Sequence, residues 1–144
     1  AISNWIKAGG TLLVMANDSN NCDLSHLNLL AGTFGIKFTD KSINMVKNDT
    51  YPQGEVLPGT SNPVFKTTKK MFLKELSVLE IKAPAMTNAV KEGDVIIATA
   101  KYGRGKVLMV GDPWLYNEYV DGRKLPAEYE NYKAAEDLVK WLLK

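Results

Sequence analysis

The chain has 144 residues, 45% of them hydrophobic and 24% charged, a balance that excludes a disordered segment and suits a single hydrophobic core. Its 18 Lys and Arg against 16 Asp and Glu leave a formal net charge of +2, too small for a general attraction to nucleic acid or to an acidic membrane surface. The single Cys22 excludes an internally disulfide-stapled scaffold, and no apolar run approaches the ~20 residues of a membrane-spanning helix.

The sequence opens at Ala1 directly in a helical pattern, so one domain over residues 1–144, cut from the C-terminal part of a larger chain, is expected. Ile2, Trp5 and Ile6 share one helical face, and Gly9 and Gly10 provide the left-handed stop. Thr11-Leu12-Leu13-Val14-Met15-Ala16 then reads as a strand buried on both faces, running into the polar loop Asn17-Asp18-Ser19-Asn20-Asn21. Asp23 is a candidate N-cap for a second helix with Leu24, Leu27, Leu30, Ala31 and Phe34 as its buried stripe and Gly35 as its stop.

Ile36-Lys37-Phe38 reads as a short strand and 43–46 as another, followed by a polar surface loop over 47–63 rich in Gly, Pro, Asn and Thr. Between 70 and 91 the pattern is short and β-like, with Met71-Phe72-Leu73 and Val78-Leu79-Glu80-Ile81 as the better strands. Two β-runs, 94–102 and 106–110, joined by Gly103-Arg104-Gly105, predict an antiparallel hairpin. A loop from Asp112 onward precedes a last helix, with Pro126 in its first turn, an apolar stripe of Tyr132, Ala135, Leu138, Val139 and Leu142, and Glu136 paired with Lys140 on its wet side.

Alternating helices and apolar strands predict an α/β fold: a three-layer, mostly parallel sheet flanked by helices, with a C-terminal antiparallel hairpin and a final helix. Ligands collect beyond the carboxyl ends of strands in such sheets, which singles out the loop 17–21 and the loop 112–123.

The segment Ala100-Lys101-Tyr102-Gly103-Arg104-Gly105-Lys106-Val107-Leu108-Met109-Val110-Gly111-Asp112-Pro113-Trp114 resembles a domain related to class I glutamine amidotransferases. It is similar to the version that follows the catalytic part of bacterial unsaturated rhamnogalacturonyl hydrolases, the family 105 glycoside hydrolases. The opening run from Trp5-Ile6-Lys7-Ala8-Gly9-Gly10 to Asn17-Asp18 fits it too. The resemblance implies an amidotransferase-like or flavodoxin-like accessory domain of a pectin-degrading enzyme, periplasmic or secreted. Its partners would be the catalytic domain of the same parent chain and an oligosaccharide, with neither nucleic acid nor membrane involved.

Amidotransferase chemistry itself lacks its parts. Cys22 follows an Asn-rich loop without flanking glycines, and no His follows the strand that ends in Gly111-Asp112-Pro113. Cys22 and His26 are four residues apart, but two ligands make an incomplete zinc site, so no metal and no cofactor are expected. The sequence has no Gly-x-Ser-x-Gly elbow, and Gly103-Arg104-Gly105-Lys106 lacks phosphate-loop spacing.

The candidate docking or ligand-binding residues are Asn17, Asp18, Asp112, Trp114, Tyr116, Asn117, Glu118, Tyr119 and Arg123. Aromatic rings stack on the C–H faces of sugars, and carboxylate, amide and guanidinium groups pair with hydroxyls, so this mixture suits carbohydrate. Aromatics in such a loop also anchor it to its own core, and acids at strand ends hold loops through backbone hydrogen bonds. The expected function is a non-catalytic accessory domain of a rhamnogalacturonan-degrading hydrolase. Two alternatives stand beside it: a carboxylate-based hydrolase using Asp112 and Glu118 with Asp18 nearby, and a structural oligomerisation module.

Overall fold

In the computed structural model every residue is described except Glu118, Asp121, Gly122, Arg123 and the side chain of Trp114. The elements in chain order are α1 (Ile2–Lys7), β1 (Thr11–Met15), α2 (Leu24–Ala31), β2 (Ile36–Ile43), β3 (Glu55–Val56), β4 (Met71–Phe72), β5 (Leu76–Ile81), β6 (Ala85–Lys91), β7 (Asp94–Tyr102), β8 (Gly105–Val110) and α3 (Asn131–Leu142), with short 3-10 turns between some of them.

Six strands form one curled, mixed sheet resembling half a barrel, in the order β1-β8-β7-β5-β2 with β6 also paired to β7. β3 and β4 form a separate two-stranded ribbon. The expected three-layer, mostly parallel sheet is therefore corrected: β1 with β8 is the one parallel pair among the described strands. Parallel neighbours require a crossover, usually helical, between them, whereas turns make antiparallel neighbours. Between the end of α2 and the end of β8 the helical elements are short 3-10 turns, so the strands from β2 to β8 run antiparallel to their neighbours among themselves.

The hairpin of β7 and β8 is present, with Tyr102 opposite Gly105. Along β8 the period of two assigns each residue to a face. Val107 and Met109 join a cluster with Ile6, Leu24, Ala31, Phe34 and Phe38, under α1 and α2. Leu108 and Val110 join Leu73, Leu76, Ile97, Ala134 and Leu138, under α3.

Asp23 caps α2, its side chain accepting from His26 N–H, and Gly35 ends the following 3-10 turn at φ 77°. Other expectations need correction. β2 is one strand where two were expected, and 47–63 contains the 3-10 turn Tyr51–Gly54 and β3. Pro126 lies before α3, which buries Asn131, Ala134, Ala135, Asp137 and Leu138 and leaves Tyr132 and Val139 exposed. In α1 only Ile6 is buried.

Candidate functional site

The neighbouring carboxyl ends of β1 and β8 bring together the two loops that the sequence singles out. The parallel ladder ends at Met15 opposite Val110, and Ala16 N–H donates to Val110 O at 2.9 Å. Beyond that point β5 ties both chains down. The Ser77 hydroxyl donates to Asn17 O at 2.8 Å, and Ser77 N–H donates to Gly111 O at 3.3 Å. Gly111 has no room for a side chain here, since a Cβ would sit 2.5 Å from Ser77 O.

The acids at these strand ends point inward. Asp18, 4% exposed, accepts with Oδ1 from Asn20 N–H at 3.0 Å, Asn21 N–H at 3.1 Å and the Asn21 amide at 2.8 Å. It thus closes its own loop, and the Asn17 side chain accepts from Asp18 N–H at 2.8 Å. Asp112, fully buried, accepts from Lys74 N–H at 2.6 Å and so fixes the turn between β4 and β5 to the end of β8. Both acids accept backbone N–H groups, as loop anchors do.

The aromatic candidates divide. Tyr119 stacks on Phe72 with ring centroids 5.3 Å apart, and Asn117 supports that pose by accepting from Tyr119 N–H at 3.1 Å. Tyr116 is 46% exposed, and partial burial of its hydroxyl pushes its pKa above the usual tyrosine value. Trp114 begins the 3-10 turn Trp114–Tyr116, while its side chain, Glu118 and Arg123 lie outside the described residues.

What sequence reading missed is the floor beneath this loop. Tyr51, Phe72 and Tyr129 pack edge to face or tilted at 5.8 to 6.2 Å, and the Lys70 ammonium lies 5.5 Å from the centre of the Tyr129 ring. Lys70 also pairs with Glu55 at 2.8 Å, and that hydrogen bond holds its pKa above the ordinary lysine value. Three tyrosines and a phenylalanine spread over 79 positions of sequence give no local pattern that could announce a cluster.

Cys22 and His26 are engaged separately. The Cys22 side chain packs against the cluster around Phe34. His26 places Nδ1 2.6 Å from Asp23 Oδ2 with its side chain 80% exposed. Asp23 is held down to about 2 by the Ser25 hydroxyl, by His26 N–H and by the His26 ring. Among the described residues no three His, Cys, Asp or Glu side chains are grouped as a metal site. The described residues also include no helix long and apolar enough to cross a membrane.

A cleft of about 360 Å³ lies elsewhere, between the end of α2 and the paired ends of β2 and β5. Ile36, Ile81, Gly32 and Gly35 line it, with the Lys37–Glu80 ion pair (3.0 Å) at its side.

No protein family and no curated protein matches the sequence. Solved structures do match the fold. The chain is similar to the mmIFT52 N-terminal domain, with TM-score 0.75 and 18% identity over 99% of this chain and 69% of that one. It is similar to the cytoplasmic protein STM1381 from Salmonella typhimurium LT2, with TM-score 0.66 and 17% identity over 96% of this chain and 58% of that one. A β-galactosidase from Rahnella sp. R3 matches with TM-score 0.60 and 16% identity, over 99% of this chain and 20% of the enzyme.

These likenesses establish the fold alone: a mixed-sheet α/β domain. They overturn the expected accessory domain of the family 105 hydrolases, because the neighbours share this mixed sheet and not a flavodoxin-like parallel one.

Proposed function

We propose that the chain is a non-catalytic docking domain within a longer, carbohydrate-active polypeptide. The observation that carries this reading is the engagement of Asp18 and Asp112. Both are buried at the strand ends and accept backbone N–H groups, so neither is presented to a substrate. Occurrence of the same fold as about a fifth of a β-galactosidase supports the setting. Interdomain docking is favoured over sugar recognition because one ring of the candidate platform, Tyr119, already stacks on the core. The rhamnogalacturonan substrate rested on the corrected resemblance and is not carried forward.

The test is a turnover and binding assay of the purified chain with aryl β-galactosides, aryl β-mannosides and their oligosaccharides. The expected result is no hydrolysis above the blank and no saturable binding. Hydrolysis that disappears in a folded Asp112→Asn variant would overturn the reading, and saturable oligosaccharide binding lost on Tyr116→Ala would replace docking by recognition.

A further inference from the structure

The two apolar faces of the sheet leave a ledge each on the side of β1. On one face α1 packs on the β7–β8 turn, where Arg104 N–H donates to Lys7 O at 3.0 Å, and leaves Ile2 47% and Trp5 55% exposed. On the other face Asp137 ties one flank of α3 to Thr67 and Thr68, on the side where Asn62 bonds to Asn88 of β6. The opposite flank, with Tyr132 and Val139 exposed and Leu142 joining the same cluster as Leu13 and Met15, therefore looks toward β1.

Between these ledges runs the free edge of β1, the terminal strand of its sheet. Lys106 N–H donates to Gly10 O at 3.2 Å, and Ala16 N–H donates to Val110 O at 2.9 Å. Alternate residues in a parallel ladder bond to the same neighbour, so 10, 12, 14 and 16 face β8, and Thr11, Leu13 and Met15 turn their N–H and C=O groups outward. Among the described residues nothing hydrogen-bonds to these groups. The Asn28 amide, by contrast, occupies the N–H and C=O of Phe38 on β2, and the Asn131 amide those of Phe72 on β4. Such plugs prevent strand pairing, and β1 has neither a plug nor a charge of its own.

Charges at the two ends of this edge favour one kind of occupant. Lys7 and Arg104 are exposed at the amino end of β1, and the Arg104 guanidinium donates to Ala8 O at 2.9 Å. The loop that leaves the carboxyl end leads to Asp23, whose side chain is 63% exposed. An identical edge laid antiparallel sets the basic end of each beside the acidic end of the other, whereas a parallel one sets like beside like.

We propose that two copies of this chain join edge to edge through β1, antiparallel about a two-fold axis at Leu13. Leu13 then exchanges hydrogen bonds with its own copy, and Thr11 with Met15 in both directions, so every outward donor and acceptor of the strand is used. The axis stands normal to the sheet and keeps like faces together. Ile2 and Trp5 are covered by the ledge of the second copy on one face, and Tyr132 and Val139 on the other. The contact uses up the edge of both copies and stops at two.

The test is sedimentation of the purified chain from about 10 µM to about 1 mM, with amide exchange read at Leu13 and Met15 and the β7–β8 amides reporting an intact fold. The mass is expected to rise toward two chains, with exchange at Leu13 and Met15 slowing about tenfold as it does. Thr11→Pro removes an outward N–H without touching the β8 ladder and should weaken association about tenfold or more. Ile2→Lys and Val139→Lys alter exposed side chains on the two ledges and should act in the same direction. In a Cys22→Ser background, a mixture of Thr11→Cys and Met15→Cys chains should crosslink as a mixed dimer, and Thr11→Cys alone should not.

A chain that stays single up to about 1 mM overturns the proposal, as does a dimer whose Leu13 and Met15 amides exchange unprotected. Folded variants that associate as the native chain does overturn it as well. So does crosslinking of Thr11→Cys to itself in preference to Met15→Cys, which marks a parallel pairing, or growth beyond two chains, which a closed two-fold contact forbids.

Discussion

The Asn131 side chain closes a strand that its own helix never joins: it accepts from Phe72 N–H at 2.7 Å and donates to Phe72 O at 2.8 Å. A primary amide has one donor face and one acceptor face, so it imitates a neighbouring peptide group. Asn28 does the same for Phe38 at 2.8 Å in both directions. The two sites differ in burial, because Asn131 is 1% exposed whereas Asn28 is partly exposed and lines the cleft beside β2. Asn131→Ala leaves a donor and an acceptor without partners and should cost roughly 3 kcal/mol, whereas Asn28→Ala should cost about 1 kcal/mol. Asn131→Asp keeps the acceptor but sets a buried carboxylate oxygen against Phe72 O, and should cost at least as much as Asn131→Ala. Urea titrations of the three variants check the order.

Asp137 ties α3 to the segment before β4. It accepts from Thr67 N–H at 2.8 Å, Thr68 N–H at 3.0 Å, the Thr68 hydroxyl at 2.9 Å and the Thr67 hydroxyl at 3.1 Å. Burial alone pushes this carboxyl up, but the hydrogen bonds from Thr67 and Thr68 outweigh it and hold the pKa below the ordinary 3.8. A depressed folded pKa means the unfolded chain takes up the proton first on acidification. The stabilisation from Asp137 is therefore complete above the unfolded value and is lost as pH falls through the folded one. Urea midpoints measured downward from pH 6 should fall in acid by more for the native chain than for Asp137→Asn, which is less stable at neutral pH and has no proton to gain.

Glycines in the two hairpin turns separate strain from collision. A Cβ on Gly105 would run into the backbone oxygens of Ile6 and Gly10, which cannot rotate away and which seat α1 on the β8 end of the hairpin. At Gly93, between β6 and β7, a Cβ meets nothing within 4 Å, and only the φ of 89° opposes it. Gly105→Ala should therefore cost about 3 kcal/mol and expose Ile6, while Gly93→Ala should cost about 1 to 2 kcal/mol with the fold unchanged. Thermal melts and Trp5 emission distinguish the two.

Local chemistry was legible in the sequence where one segment decides it. The Asp23 cap, the Gly35 stop and the turn between Tyr102 and Gly105 depend on neighbouring residues alone. Strand direction was not legible, because the helix–strand–helix opening up to Phe34 suggests an alternation that the rest of the chain, joined by turns, does not continue. β1 shows the same limit. Its two-faced apolar run reads as a central strand, and both faces are indeed packed, but its place in the order depends on what lies beside it. In the loops, residue type suggested sugar-binding chemistry for Asp18, Asp112 and Tyr119. Their orientation toward Asn21, Lys74 and Phe72 is a property of contacts as far as 47 positions apart in sequence.

That orientation makes Asp112 a stability residue. Its Oδ2 accepts from Lys74 N–H at 2.6 Å inside a fully buried site, so Asp112→Ala leaves that N–H without its acceptor and opens a void at the end of β8. Hydrogen bonds to a charged group are worth more than neutral ones, and the loss should be about 2 to 4 kcal/mol. Asp112→Asn retains an oxygen that can accept from Lys74 and should lose distinctly less. A catalytic acid would give the opposite ranking of effects, with Asn as damaging to turnover as Ala while both variants stay folded. Paired denaturation curves and glycoside assays on the two variants therefore decide whether Asp112 holds the loop or attacks a substrate.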